Sequence, residues 1–423
     1  MLASVKAAGA AFVKHTEVLP VRGGRPTWLF RCAVSLWIVF AVICGVKAVV
    51  SPVKHNSFDV FQHGSSLYLA DLNVYKGTHH EFRYGPTFAF FFSPFTLLRA
   101  SLGSLVWMSF SQAVFLWSLR VLVREILPGR WSPDQEGLFL LLVLPLAYRG
   151  LWTAQTNTLI FALVVAALQA IRQRRWTRAA LFLALPVHIK IWPLAAALLI
   201  IACWPRQLAA RFAGMFALVT ALPLLTKGPS AIAAQYTTWF ASIRGPMQTR
   251  HDYHDMWTVI EAFHPPLPSA YAMLQLSTAV LALALCLWQA GKKLGGKDAE
   301  LMQLGTFVLA TWATWQLLFG PGTERATFGI IAPLAAWGLV TTFSIARGRV
   351  VMLVAYALMV LGGFGQVERA LLPSFPLAAA LHPLGVLVFA GWLVIYARDW
   401  QSTPRKASAR SLRYWPSRGM HAT

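Results

Sequence analysis

Asp59, Asp71 and Glu81 fall within one polar stretch, residues 51–86, of a 423-residue chain that has only 15 acidic side chains. The stretch follows directly on the first long apolar segment, so Asp59, in Phe58-Asp59-Val60-Phe61, stands close to where the chain leaves it. A carboxylate held there within hydrogen-bond reach of a substrate hydroxyl can serve as a general base. The same residue type also serves as an exposed loop carboxylate or a helix cap, and the residues alone leave both roles open. Lys190 sits in Pro186-Val187-His188-Ile189-Lys190-Ile191-Trp192-Pro193, with apolar flanks on either side. An ammonium in such surroundings is costly and marks a candidate site. It either snorkels to the interface or holds an anion, such as a lipid phosphate, and stabilises its charge as it leaves.

Three further groups join these. Gln155 and Asn157, in Trp152-Thr153-Ala154-Gln155-Thr156-Asn157, either cap a helix and bond between helices or contact a polar substrate. Glu324 and Arg325, in Gly320-Pro321-Gly322-Thr323-Glu324-Arg325, are either an ion pair or, through the planar guanidinium, a phosphate-binding group. Arg250-His251-Asp252-Tyr253-His254-Asp255 has the residue types of a metal site, but its spacing is loose, and polar contacts to a substrate or within the loop suit it better. Tyr84, His188, His251 and His254 complete the candidate substrate contacts, and no cofactor is expected.

The elements that must position these residues are membrane helices. Hydrophobic residues make up 57% of the chain and charged residues 12%, with a mean hydropathy of +0.56, whereas a soluble domain is about a quarter charged. Apolar segments lie at 28–50, 84–98, 102–119, 137–150, 157–171, 179–187, 191–203, 210–226, 268–290, 300–318, 326–345, 350–364 and 379–396. The expected fold is an all-α polytopic integral membrane protein with roughly 11–13 membrane segments, some short or re-entrant. A basic N-terminus (1–27) and a basic tail (398–423) flank the membrane domain (28–397), and the first helix is expected to stay uncleaved with its start in the cytoplasm. The net charge of +22 resides in short loops and tails, which is the pattern of cytoplasmic flanks on anionic lipid rather than of a nucleic-acid surface. Cys32, Cys44, Cys203 and Cys286 lie within apolar segments and read as free buried thiols.

The basic flanks also set the topology. Residues 172–178, Arg206 with Arg211, 292–297, Arg347 with Arg349, and the tail read cytoplasmic. Turns 154–157, 188–190 and 320–325, loop 227–267 and loop 51–86 then share the opposite face. The counts from the two termini agree only if one segment between 84 and 119 fails to cross. The expected one is 84–98, short and interrupted by Pro86 and Pro94. Between Arg178 and Arg206 two short helices should meet at 186–193, beside protein or a wet cavity. Within loop 227–267, Ile232, Tyr236, Trp239, Phe240 and Ile243 fall on one helical face, expected to lie along the membrane surface.

Taken in order, these motifs resemble glycosyltransferase family 87, polyprenol-phosphate-mannose-dependent mannosyltransferases of the GT-C fold. The resemblance rests on Asp59, then Asp71-Leu72-Asn73-Val74-Tyr75, then Phe82-Arg83-Tyr84-Gly85-Pro86, where Gly85 replaces the family's usual first Pro. It continues through Ala154-Gln155-Thr156-Asn157, with Ala154 for the usual Gly, the basic loop 172–178, and Lys190-Ile191-Trp192-Pro193. The family's Asn-Gln-Ser loop has no counterpart in residues 250–263.

The resemblance implies a GT-C-like glycosyltransferase of a bacterial inner membrane, with its active site facing outward. It would move a sugar, mannose first, from a polyprenyl phosphate to a glycolipid or glycan acceptor with inversion. By motif, Asp59 would be the base, Lys190 with Arg325 would hold the donor phosphate, and Gln155 and Asn157 would line the site. Two other readings of the same charges are a transporter or flippase for a lipid-linked substrate and a polysaccharide ligase or polymerase. The first should show repeated halves, which this sequence lacks; the second should depend on loop 227–267 rather than on Asp59.

Overall fold

The apolar segment 28–50 folds as one helix, α1 (Trp28–Val50), in the computed structural model, which describes residues 27–54, 56–75, 82–129, 131–244, 253–293, 298–343 and 346–399. Leu36, Val39, Ile43 and Val46 are exposed along its length, as a lipid-facing stripe would be. The polar stretch that follows is not all loop. α2 (Ser57–Leu69) forms because Asn56 caps it, accepting the Phe58 N–H at 3.0 Å, and because Phe58, Phe61, Ser65 and Tyr68 give it a buried face. Asp71, just beyond, has its carboxylate 2.6 Å from Lys227 Nζ, and Glu81 lies outside the described residues.

Next come α3 (Pro86–Phe92) and a 3₁₀ turn (Ser93–Leu97), together far shorter than the roughly 20 residues a span requires. This is the short element expected from the topology. Its rings close an aromatic cluster: Phe61 meets Tyr84, Phe88, Phe92 and Trp107 edge-on at 4.7–5.8 Å. α4 (Ala100–Val121) runs on into a π turn (Leu122–Ile126), and α5 (Pro133–Trp152) starts from a capping box between Ser132 and Gln135. α6 (Asn157–Arg172), α7 (Trp176–Ile189) and α8 (Leu194–Cys203) have only 16, 14 and 10 residues, and α7 and α8 meet at Lys190.

α9 (Pro205–Ala221) leads to α10 (Pro229–Arg244), the helix expected in loop 227–267. Part of the face picked out by its apolar spacing packs on protein. Ile232 and Trp239 are buried, and Tyr236 Oη bonds Thr87 Oγ1 at 2.6 Å, while Phe240 alone of the aromatic set is exposed. α11 (Met256–Glu261), α12 (Pro268–Lys293) and α13 (Asp298–Phe319) precede the turn at 320–325 and a 3₁₀ helix (Arg325–Ile330). α14 (Ala332–Thr342), α15 (Ala346–Gly363), α16 (Gly365–Leu371) and α17 (Leu381–Asp399) complete the described chain. Trp312, Phe328, Trp337 and Phe389 are fully buried where α13, α14 and α17 converge.

The fold is all-α; among the described residues the only β-bridge pairs Tyr253 with Glu324. Among the described residues, five stretches are long and apolar enough to cross a membrane: Trp28–Val50, Ala100–Ile126, Pro205–Leu225, Pro268–Gly291 and Leu377–Ala397. α15 with α16 would make a sixth, bent by 94°. Other apolar runs form helices too short to cross alone, α6, α7 and α8 among them, in keeping with the short segments expected.

The bundle has two chemically distinct ends. At one, Lys47 Nζ donates to the Trp152 carbonyl (2.6 Å), Ser57 N–H to that of Thr153 (2.9 Å), and Trp107 Nε1 to that of Ala154 (3.0 Å). At the other lie Arg120 at the end of α4 and Arg124 in the π turn after it, Arg172 at the end of α6 and Arg175 just before α7, and Arg206 at the start of α9.

Candidate active site

The turn from α5 into α6 is the hub. Ala154 takes a left-handed φ of 55°, a conformation that disfavours any side chain, and so lets Gln155 N–H return to the Gly150 carbonyl at 2.9 Å. The glycine that Ala154 replaces would adopt this turn without strain. Gln155 and Asn157 project from it towards Lys190, which occupies the break between α7 and α8.

Lys190 Nζ donates to Asn157 Oδ1 at 3.2 Å and lies 5.2 Å from the centre of the Tyr84 ring. Tyr84 Oη donates to Gln155 Oε1 at 3.4 Å, Gln155 Nε2 donates to Glu324 Oε2 at 3.5 Å, and Asn157 Nδ2 donates to Thr327 Oγ1 at 3.4 Å. Glu324 is the opposite charge acting on Lys190, and Arg83 the like charge. Burial first, then the Glu324 carboxylate, holds the Tyr84 phenol well above its usual range, so Tyr84 is a hydrogen-bond donor at any physiological pH. These bonds sit at the long end of hydrogen-bond geometry. A ligand's phosphate or hydroxyl can therefore replace them at little cost, and Lys190, Gln155 and Glu324 are only half-buried.

Backbone contacts hold the cluster. Gly85 N–H donates to the Ile189 carbonyl at 3.2 Å, and a Cβ on Gly85 would collide with the His188 carbonyl oxygen. Glycine at the position where the family usually has proline thus keeps both a donor and the space for close approach. Trp239 Nε1 donates to the Arg83 carbonyl (3.3 Å), Arg83 Nη1 to Tyr253 Oη (3.1 Å), and His254 N–H to the Thr323 carbonyl (2.8 Å).

Asp59, half-buried, stands in the first turn of α2, where a carboxylate also favours the helix dipole. Its helix is pinned to the same hub through Ser57 and Thr153, and Phe61, two residues on, packs against Tyr84.

Three candidates lie elsewhere. Arg325 turns away from Lys190: its Nε donates to the Gly362 carbonyl at 3.3 Å and its guanidinium pairs with Glu368 on α16. Adjacent residues at the start of the 3₁₀ helix project in different directions, so Glu324 faces the hub and Arg325 faces the bent pair α15–α16. His188 contributes its backbone to the hub, whereas its ring faces α9, with Nδ1 2.9 Å from the Ala184 carbonyl and Nε2 2.9 Å from Thr220 Oγ1. The buried His254 ring lies beside His382, with Nδ1 3.0 Å from the Ala379 carbonyl.

His251 lies outside the described residues. Asp255 caps α11, accepting from the Thr258 N–H at 3.3 Å, and among the described residues no group of three or more His, Cys, Asp and Glu is arranged to hold a metal. Arg83, Tyr253 and Thr327 belong to the cluster but were not singled out from the sequence. Arg83 had a signal, since it adjoins Tyr84 in the quoted motif.

Immediately beyond Lys190, a cavity of about 680 Å³ opens between α8, α12 and α13. Ile191, Trp192, Leu198, Val280, Leu283 and Trp315 are among the side chains that line it.

The glycosyltransferase family 87 model matches residues 82–300, which is 219 of the 423 residues. No curated protein matches the chain. The matched span contains Tyr84, Gln155, Asn157 and Lys190, while Asp59 and Glu324 lie outside it. A match over more than half the chain, on an all-α scaffold with several membrane-crossing helices, assigns this protein to glycosyltransferase family 87 and makes it a membrane glycosyltransferase.

Proposed function

We propose that the protein transfers a sugar, mannose in the first instance, from a polyprenyl phosphate to a hydroxyl of a glycolipid or glycan. The observation that carries this reading is that Lys190, at the centre of the polar cluster, immediately precedes Ile191 and Trp192, which line the apolar cavity. A polyprenyl phosphate has this shape and polarity: a long hydrocarbon that gains by burial, ending in an anion that needs a cation.

In the reaction the acceptor oxygen attacks the anomeric carbon as the bond from that carbon to the phosphate oxygen breaks, inverting the centre. The hydroxyl proton passes to the Asp59 carboxylate, and the polyprenyl phosphate leaves with its charge held by Lys190. Arg83, whose charge already acts on Lys190, takes the second cationic role in place of Arg325. Tyr84 and the amides of Gln155 and Asn157 donate to the sugar or the phosphate, and Glu324 accepts from sugar hydroxyls. Lys190 and Arg83 act most strongly where negative charge develops, which is what lowers a barrier. The arginine-rich end of the bundle lies opposite this site, so the positive-inside rule favours a site on the non-cytoplasmic face, in a bacterium the outer face of the inner membrane.

The test is Asp59→Asn in purified protein supplied with a polyprenyl phosphate mannose and an acceptor. Transfer should fall to background while donor binding persists. Transfer at the wild-type rate would remove Asp59 as the base, and loss of donor binding together with transfer would reduce it to a structural residue.

A further inference from the structure

At the end of the bundle remote from Lys190, α1, α4 and α5 leave a cleft of about 170 Å³ between them. Phe30, Leu116 and Leu140 are among its apolar walls, Arg120 and Arg124 stand on one side, and Glu136 stands on another. The two arginines are four residues apart and so stack along one helical face. Both are exposed, and neither makes an ion pair or side-chain hydrogen bond among the described residues. Glu136 is half-buried and is not paired with either of them.

Two features set the depth of this cleft in a bilayer. Trp28, two residues before Phe30 at the start of α1, is 74% exposed, as an indole anchored at headgroup level would be. From there the exposed stripe of α1, through Leu36, Val39 and Ile43, runs away towards the other end. The cleft therefore opens at the boundary between headgroups and hydrocarbon, with its cations on the headgroup side. Two guanidiniums and one carboxylate leave a single positive charge, which one phosphodiester neutralises.

We propose that this cleft is a binding site for one monoanionic phospholipid with a hydroxylated headgroup, of the phosphatidylglycerol type. Its phosphodiester oxygens accept from Arg120 and Arg124. One acyl chain lies against Phe30, Leu116 and Leu140, and a headgroup hydroxyl donates to Glu136. The site is independent of the glycosyl-transfer reading, because none of its residues belongs to the Lys190 cluster. It does join the far ends of α1, α4 and α5, whose near ends hold the hub through Lys47, Trp107 and the Trp152 carbonyl.

The experiment is native mass spectrometry of the full-length protein in detergent, titrated with phosphatidylglycerol, phosphatidylethanolamine or phosphatidylcholine. Wild-type protein should retain one phosphatidylglycerol at least fivefold more strongly than either zwitterionic lipid. R120Q/R124Q should abolish that preference while leaving the melting temperature without added lipid and the binding of a polyprenyl phosphate unchanged. Equal retention of all three lipids by the wild type, or an undiminished preference in R120Q/R124Q, would overturn the proposal. Should that variant fail to purify, the lipid comparison on the wild type decides, with R120K/R124K expected to keep the preference in weakened form.

Discussion

Replacing Lys190 with methionine should separate catalysis from stability. Among the described residues, the Lys190 side chain makes one long hydrogen bond, 3.2 Å to Asn157, and one ring contact, 5.2 Å to Tyr84. A hydrogen bond of a charged group contributes about 1.5–3 kcal/mol at good geometry, and less at this length. The ring contact contributes about 0.5–2 kcal/mol. Removing the charge also removes the cost of keeping an ammonium in a half-buried site, so the net change in stability should stay within about 2 kcal/mol. The effect on transfer should be far larger. A group that stabilises the departing phosphate contributes roughly what an oxyanion-hole donor does, about 2.7–4 kcal/mol, or about 10²–10³ in kcat.

The assay is turnover of purified Lys190→Met with a synthetic polyprenyl phosphate mannose, with the melting temperature read on the same sample. The expected result is kcat lowered by about 10²–10³ with little change in melting. A fall in both has a second explanation, because the variant leaves Glu324 without its opposite charge. K190M/E324Q resolves it: the double variant should regain any lost stability and none of the lost transfer. Transfer restored together with stability would show Lys190 to be scaffolding, and turnover within tenfold of wild type in the single variant would refute its contact with the phosphate.

Three further outcomes follow from the geometry. Gly85→Ala puts a methyl group against the His188 carbonyl and should cost about 1–3 kcal/mol of stability and, by displacing Tyr84 from Lys190, at least about tenfold in turnover; wild-type melting would mean that the two segments do not approach so closely. Ala154→Gly relieves a left-handed φ of 55° and should stabilise the protein by about 1 kcal/mol, so a lowered melting temperature would contradict that turn. Arg325→Gln leaves the largely buried Glu368 carboxylate unpaired and should destabilise by about 1–3 kcal/mol, with R325Q/E368Q recovering most of the loss. Arg325→Gln should leave the KM for donor unchanged; a large rise in KM would return Arg325 to the phosphate.

How much of this was legible in the sequence depends on the range of the interaction involved. Apolar periodicity and proline placement are local, so the helices at 28–50 and 157–171, the short element at 84–98 and the break at Lys190 could all be anticipated. So could the placing of Tyr84, Gln155, Asn157, Lys190 and Glu324 at the same end of the bundle, since the basic flanks put the loops and turns that carry them on one face. α2 was hidden by its polar composition, although Phe58, Phe61, Ser65 and Tyr68 do recur on one face. The direction of Arg325 was beyond reach, since it depends on Glu368, 43 residues away, and on a bend of 94° between α15 and α16. The ring of His188 was misread for a related reason: at the last turn of a helix it folds back on Ala184, and only the path of α9 supplies Thr220.

The polar groups around Lys190 all come from helix ends and none from the middle of a long span, and this has a physical reason. A helix end leaves backbone donors and acceptors without intrahelical partners, and in apolar surroundings each must find one. Here the partners are other parts of the site: the Ile189 carbonyl takes the Gly85 N–H, the Thr153 carbonyl takes that of Ser57, and the Trp152 and Ala154 carbonyls take Lys47 and Trp107. Breaking the helices therefore does two things at once. It brings side chains from five separate segments to one place, and it makes the backbone of each segment the fixture for the next. A segment cannot shift without stripping a hydrogen bond from its neighbour, and for that reason a single methyl group on Gly85 should be felt at Lys190 although neither side chain touches the other.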